Sequence, residues 1–314
     1  MEIHIKQFID QQSFLLTKTI SPDVYLTASR IVMQMVNPPL NTEYGLMVSY
    51  DKPLGCKRHI TNFQRPAVLR QHFGKRNQEK NDHIFCYGSG SGSSTVGTHP
   101  AYSITREMTP DMVKVGSNIF ETIKFLDPTG MSVEPFNHCT VLFYFHKQKK
   151  SPNSMLGFHT DNVYSKKGKF ITDKNTQKEN TPTCVLTLGA QRELHFQKQY
   201  TCMDKKTKKQ KWKELTRRKI VLEKKSIIVL HPHDECPKHR HDFSVRWRHG
   251  VPTFNQRDSL SIALVFRTVT SSACQDKTSL CPDISNMAIQ TDIAHCHKIH
   301  KRLKHLTSKV LKGT

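Results

Sequence analysis

The sequence predicts a mainly β protein with supporting helices (α+β), built as an antiparallel barrel or double-sheet fold. Three observations carry this. Short β-branched and aromatic runs separated by turn residues follow one another from residue 139 onward, a single amphipathic helix pattern precedes them, and hydrophobic residues (36% of 314) are spread along the chain. The apolar runs Ile227 to Leu230 and Ser259 to Phe266 are far below the roughly 20 residues of a membrane span, and the N-terminus lacks a signal-peptide pattern. No membrane partner is therefore expected.

Along the chain, Phe14 to Thr19 and Ile31 to Val36 suit short ordered elements, and Asn37-Pro38-Pro39 ends whatever precedes it. The Gly/Ser run from Gly88 to Ser94 reads as a flexible linker, because no Lys-Ser/Thr follows its glycines as a phosphate loop requires. Thr109-Pro110-Asp111 supplies a cap and first turn for a helix with Met112, Val115, Ile119 and Ile123 on one face. Expected strands are Cys139 to Phe145, Thr183 to Leu188, Glu193 to Phe196, Lys219 to Leu222, Ser226 to Leu230, Phe243 to Arg248 and Ser259 to Thr270. The resulting division is 1–108 as an N-terminal region, 109–270 as the core and 271–314 as a basic tail.

Lys and Arg number 48 against 26 Asp and Glu, a net charge of +22. Such an excess concentrates polyanions, so nucleic acid, DNA or RNA, leads the expected partners. The stretch from Lys198 to Lys225 holds 12 bases and 3 acids. Within it Lys205, Lys206, Lys208, Lys209 and Lys211 flank Trp212, a stacking surface amid charge, and are the candidate nucleic-acid contacts. Nine scattered cysteines, an odd number with no CxxC pair, fit reduced thiols in the nucleus or cytoplasm.

The sharpest local signal is His159-Thr160-Asp161. A histidine and a carboxylate one residue apart can bind one metal ion from adjacent corners. A second histidine from a distant strand completes the two-His, one-carboxylate set that leaves positions open on non-haem Fe(II). His249, 90 residues on in a run reading WRHGVP, is the candidate. On the following strand Arg257, Ser259, Ser261, Ala263, Val265 and Arg267 share one parity and hence one face. Small residues leave room there, and an inward arginine suits a carboxylate.

HTD at 159–161, WRHGVP around His249 and ALVFR at 263–267 resemble the AlkB-like Fe(II)/2-oxoglutarate-dependent dioxygenases. LTLGAQRELHF at 186–196 and SIIVL at 226–230 are similar to the same family, over about Thr109 to Thr268. The resemblance implies a double-stranded β-helix (jelly-roll) oxygenase core with an N-terminal substrate lid near Lys52 to Tyr102. It implies Fe(II) on His159, Asp161 and His249, with 2-oxoglutarate and O₂ as co-substrates. The activity implied is oxidative demethylation of methylated or alkylated bases in nucleic acid, as in DNA repair. The alternatives are an oxygenase of this fold acting on a protein or small molecule, and a non-catalytic nucleic-acid-binding protein.

Family members carry two arginines six residues apart on the last strand, whereas Ser261 stands six before Arg267 and the nearest upstream arginine is Arg257. Arg267, Arg257 and Tyr144 are the candidates for 2-oxoglutarate. Arg192 is read as a structural ion-pair residue, with a substrate-side charge as the alternative. His231 to His241, and Cys274, Cys281, His295, Cys296 and His297, have spacings that could suit zinc, against readings as a loop and a partly disordered tail.

Overall fold

The structure is a computed structural model and describes residues 4–9, 13–39, 69–79, 83–85, 105–126, 134–145, 156–161, 177–178, 181–207, 210–222, 225–230, 238–240, 243–252, 259–270, 272–274 and 287–312. The strands are β1 (His4–Ile9), β2 (Ser13–Thr19), β3 (Leu69–Gly74), β4 (His83–Phe85), β5 (Thr105–Glu107), β6 (His138–Phe145), β7 (Leu156–His159), β8 (Thr183–Gly189), β9 (Arg192–Met203), β10 (Gln210–Leu222), β11 (Ser226–Leu230), β12 (Lys238–Arg240), β13 (Phe243–Val251), β14 (Leu260–Arg267) and β15 (Ser272–Cys274). The helices are α1 (Pro22–Val36), α2 (Pro110–Leu126) and α3 (Met287–Lys312). The mainly β expectation holds.

Two sheets dominate. The larger runs β1-β2-β11-β8-β14-β6-β3-β5; the smaller runs β10-β9-β13-β12, with β7 also paired to β13. Strand β14 lies near the middle of the large sheet, between β6 and β8, and all eight of its residues are buried. A strand covered on both faces must be apolar at both parities, and LSIALVFR is so except at Ser261 and Arg267. Ile262, Leu264 and Phe266 point to a core shared with Met112, Val115 and Ile119 of α2 and Leu303 and Leu306 of α3. Ala263 and Val265 point the other way, into a second core with Leu194, Phe196, Ile220, Trp247 and Val251 of the small sheet. The layers are thus helices, large sheet, small sheet, and the space between the sheets is where a site can sit.

The helices start where their caps dictate. Thr109 Oγ1 accepts from the Met112 backbone N–H (3.3 Å) ahead of Pro110 at the first turn, and Ser21 caps α1 in the same way, with Pro22 following. The stretch expected to be a partly disordered basic tail instead contains the 26-residue helix α3. His300 Nε2 bonds the Val36 carbonyl (2.9 Å) and Lys304 Nζ the Asn37 carbonyl (3.0 Å), so α3 satisfies the otherwise bare end of α1. Basic side chains on the solvent face hide the buried stripe of Leu303, Leu306 and Thr307 from a reading based on charge.

The basic segment after Lys198 is a long hairpin of β9 and β10, registered from Gln210 opposite Met203 to Leu222 opposite Arg192. Ile31 to Val36 belongs to a helix rather than an isolated short element. The Gly88 to Ser94 run and most of the expected lid lie outside the described residues. Cys139 and Cys184 are buried free thiols, and burial pushes both thiol pKa values up, as befits core residues.

Candidate metal centre

His159 ends β7, and in the antiparallel pairing of β7 with β13 its direct partner is His249. Directly opposed residues project to the same side of a sheet, so the two rings meet, with centroids 4.4 Å apart. Gly250 makes this approach possible: a Cβ there would stand 3.0 Å from the Leu156 carbonyl oxygen and 3.1 Å from the Phe158 nitrogen. Asp161 follows His159 by two residues. One donor atom each from His159, Asp161 and His249 lie within 4.8 Å of one another, with His159 Nε2 3.7 Å from Asp161 Oδ1 and His249 Nε2 3.8 Å from Asp161 Oδ2. This group could bind a metal ion.

Protonation favours that use. His159 Nδ1 is 2.8 Å from the Gly157 carbonyl, a contact only an N–H can make as donor, so Nε2 carries the lone pair and faces Asp161. Burial, then the neighbouring His249, lowers the His159 imidazole to about 3; it is neutral at pH 7. Burial alone would raise the Asp161 carboxyl, but Arg267 and then the two histidines bring it below its ordinary value. A neutral imidazole at His159 and an ionised carboxylate at Asp161 are the ligating forms of these groups. Two nitrogens and one oxygen are also the donor set suited to Fe(II), and fewer ligands than a closed structural site supplies.

Arg267 Nη2 donates to Asp161 Oδ1 at 3.0 Å, with both side chains almost wholly buried. Its Nη1 donates to Thr140 Oγ1 at 3.4 Å, and that oxygen lies 3.2 Å from His72 Nδ1. The arginine expected on a co-substrate thus also orients the carboxylate of the metal group, and it is anchored through β6 and β3.

The group opens into a pocket between the two sheets. Ser261, Ala263, Val265 and Arg267 all line it, as their common parity on β14 predicts. Tyr144 lines it from β6 and is 3% exposed. Arg192 and Leu194 enter from β9. Arg257 lies outside the described residues. Apart from Asp161, no acidic side chain lines this pocket among the described residues.

The basic candidates are placed apart from the pocket. Lys205 and Lys206 are exposed in the turn of the β9–β10 hairpin, and Lys211 is exposed and paired with Asp204. Trp212 is half-buried, and the Arg246 guanidinium sits 4.1 Å from its ring centroid, so one face of the expected stacking surface is already covered. Lys208 and Lys209 lie outside the described residues, as do the side chains of both groups weighed for zinc.

Thr140 and the inward position of Arg192 were not apparent from sequence. The strand expected from Glu193 begins one residue earlier, at Arg192, which therefore shares the inward parity of Leu194 and Phe196. The alternation R-x-L-x-F was the available signal.

No helix among the described residues is long and apolar enough to cross a membrane. The chain matches no family model and no curated protein.

Proposed function

We propose that the chain is an AlkB-like Fe(II)/2-oxoglutarate-dependent dioxygenase, with a double-stranded β-helix core, that oxidatively demethylates bases in nucleic acid. The observation that carries the reading is the meeting of His159, Asp161 and His249 at the wall of an inter-sheet pocket lined mainly by apolar residues, with two arginines and the hydroxyls of Tyr144, Thr183, Thr187 and Ser261. Fe(II) bound there supplies, with 2-oxoglutarate and O₂, hydroxylation of a nearby C–H, and a hydroxylated N-methyl group leaves as formaldehyde.

The chain's own residues prepare this. His159 presents a neutral nitrogen, His249 brings a second imidazole beside it, Asp161 presents an ionised carboxylate, and Arg267 keeps it ionised and aimed. Leu142, Leu156, Leu194 and Val251 exclude water from the walls. Tyr144 and the pocket arginines suit a small acidic co-substrate. The net charge of +22 and the exposed lysines of the β9–β10 hairpin suit a polyanionic substrate. A methylated base must be unstacked to enter such a pocket.

The test is mass spectrometry of modified nucleosides in methylated DNA and RNA after incubation with the protein, Fe(II) and 2-oxoglutarate, with succinate and formaldehyde measured alongside. Loss of methyl marks in step with succinate release, abolished in His159→Ala, is the expected result. Succinate release stimulated by peptides and not by nucleic acid would replace the substrate assignment. Nucleic-acid binding with no succinate release under any condition would leave a binding protein in place of the enzyme.

A further inference from the structure

On β14, Ser261 stands where the strand's parity could have carried a second cation for the far end of an acidic co-substrate. The structure supplies a guanidinium from the opposite sheet. Arg192, the first residue of β9, is 5% exposed and lines the pocket. Its guanidinium carbon lies 4.2 Å from the centroid of the Tyr144 ring, and Tyr144 is the direct partner of Ser261 in the β6–β14 pairing. Arg192, Tyr144 and Ser261 therefore gather at one end of the pocket, while Arg267, Asp161 and His249 occupy the other.

The pocket lining has two guanidiniums, Arg267 bonded to Asp161 at one end and Arg192 at the other. A planar guanidinium offers paired donors that match a carboxylate. Arg192 Nη2 is fixed by donation to the carbonyl of Pro252, three residues past His249, and stacking on Tyr144 aims the planar fork. Three residues of strand span about 10 Å. A five-carbon diacid built on C–C bonds near 1.5 Å, with its 2-oxo acid end at the metal group, has the length to bring its other carboxylate toward Arg192.

We infer that Arg192, supported by Tyr144 and with Ser261 leaving the space, is the residue that binds the distal carboxylate of the dicarboxylic co-substrate, in place of an arginine on β14. This rests on the reading of the pocket as a 2-oxo acid site. It makes Arg192 the specificity determinant for a diacid over a monoacid.

The experiment is calorimetric titration of the full chain loaded with Mn(II), using 2-oxoglutarate and 2-oxopentanoate, which share the 2-oxo acid end and differ in the distal carboxylate. Wild type is expected to bind the diacid at least tenfold more tightly. Arg192→Met, which keeps an unbranched stem over Tyr144, and Arg192→Gln, which keeps a donor for Pro252, are each expected to bring the two affinities within about twofold while leaving 2-oxopentanoate binding unchanged. That unchanged binding reports an intact site. A wild-type preference surviving in either folded variant overturns the assignment of Arg192 and leaves the dioxygenase reading standing. Failure of wild type to bind either 2-oxo acid overturns both. If both variants unfold, Ser261→Asp decides: a carboxylate facing Arg192 must abolish the diacid preference and spare 2-oxopentanoate, and a retained preference refutes the inference.

Discussion

Arg267→Met is the perturbation that tests the electrostatics of the metal group most directly. Arg267 and Asp161 meet at 3.0 Å with side-chain exposures of 8% and 2%, so water screens the pair little. A surface pair of the same geometry would be worth ~0–1 kcal/mol. Removing one partner of a buried pair instead leaves an uncompensated charge, at a cost of ~3–5 kcal/mol. Among the charges that hold the Asp161 carboxyl down, Arg267 acts most strongly, ahead of the two histidines, so in the metal-free protein it is the main counter-charge. The assay is urea unfolding of metal-free wild type, Arg267→Met, Asp161→Asn and the double variant at pH 7. Arg267→Met is expected to lose ~3 kcal/mol or more. The double variant, with no charge left to bury alone, is expected to be more stable than the sum of the singles predicts by ~2 kcal/mol or more. Single-variant losses that add to within ~0.5 kcal/mol would refute the claim that the two side chains act as a pair.

Other consequences are open to measurement. Leu303→Ala in α3 is expected to cost ~2–5 kcal/mol, since Leu303 is fully buried in the core shared with α1 and α2; an unfolding midpoint like that of wild type would show that α3 is not docked. His138 is wholly buried, and burial, then His72 and Arg267, hold its imidazole pKa well below the usual range. Below pH 6.5 the unfolded chain thus binds a proton that the folded protein does not, and stability falls as pH drops. The loss from this group grows as pH is taken from 7 down to 5. His138→Gln should remove that part of the pH dependence in urea titrations, and an unchanged slope would count against it. Replacing Lys205, Lys206 and Lys211 by Glu is expected to flatten the dependence of log K for DNA binding on log salt by ~0.9 per lost phosphate contact; an unaltered slope would make them ordinary solvated surface.

Elements whose pattern is local were legible in the sequence. CTVLFYF, TCVLTL and SIIVL became β6, β8 and β11 because β-branched and aromatic runs bounded by turns have few other stable outcomes. Thr109-Pro110-Asp111 marked the start of α2 through cap chemistry that needs no distant partner. The parity of Ser261, Ala263, Val265 and Arg267 is likewise a property of one strand. By contrast, α3 owes its order to a stripe of leucines docked on distant elements, while its composition is that of a soluble basic tail. The β9–β10 hairpin looks like a charge run because its outward residues dominate the composition.

What the sequence determined by itself is the chemistry on offer: a His-x-Asp pair, a later histidine, a strand with one small-residue face ending in arginine, and a net charge of +22. Periodicity and residue type are local, and they place a side chain on a face without saying what it faces. The tertiary structure alone decided that β7 pairs with β13 so that His159 opposes His249, that Arg267 engages Asp161 across 106 residues of sequence, and that Arg192 stands over Tyr144 at the far end of the same pocket. Those meetings depend on the packing of one sheet against another, where burial turns nearby charges into partners, and no spacing along the chain encodes the distance between sheets.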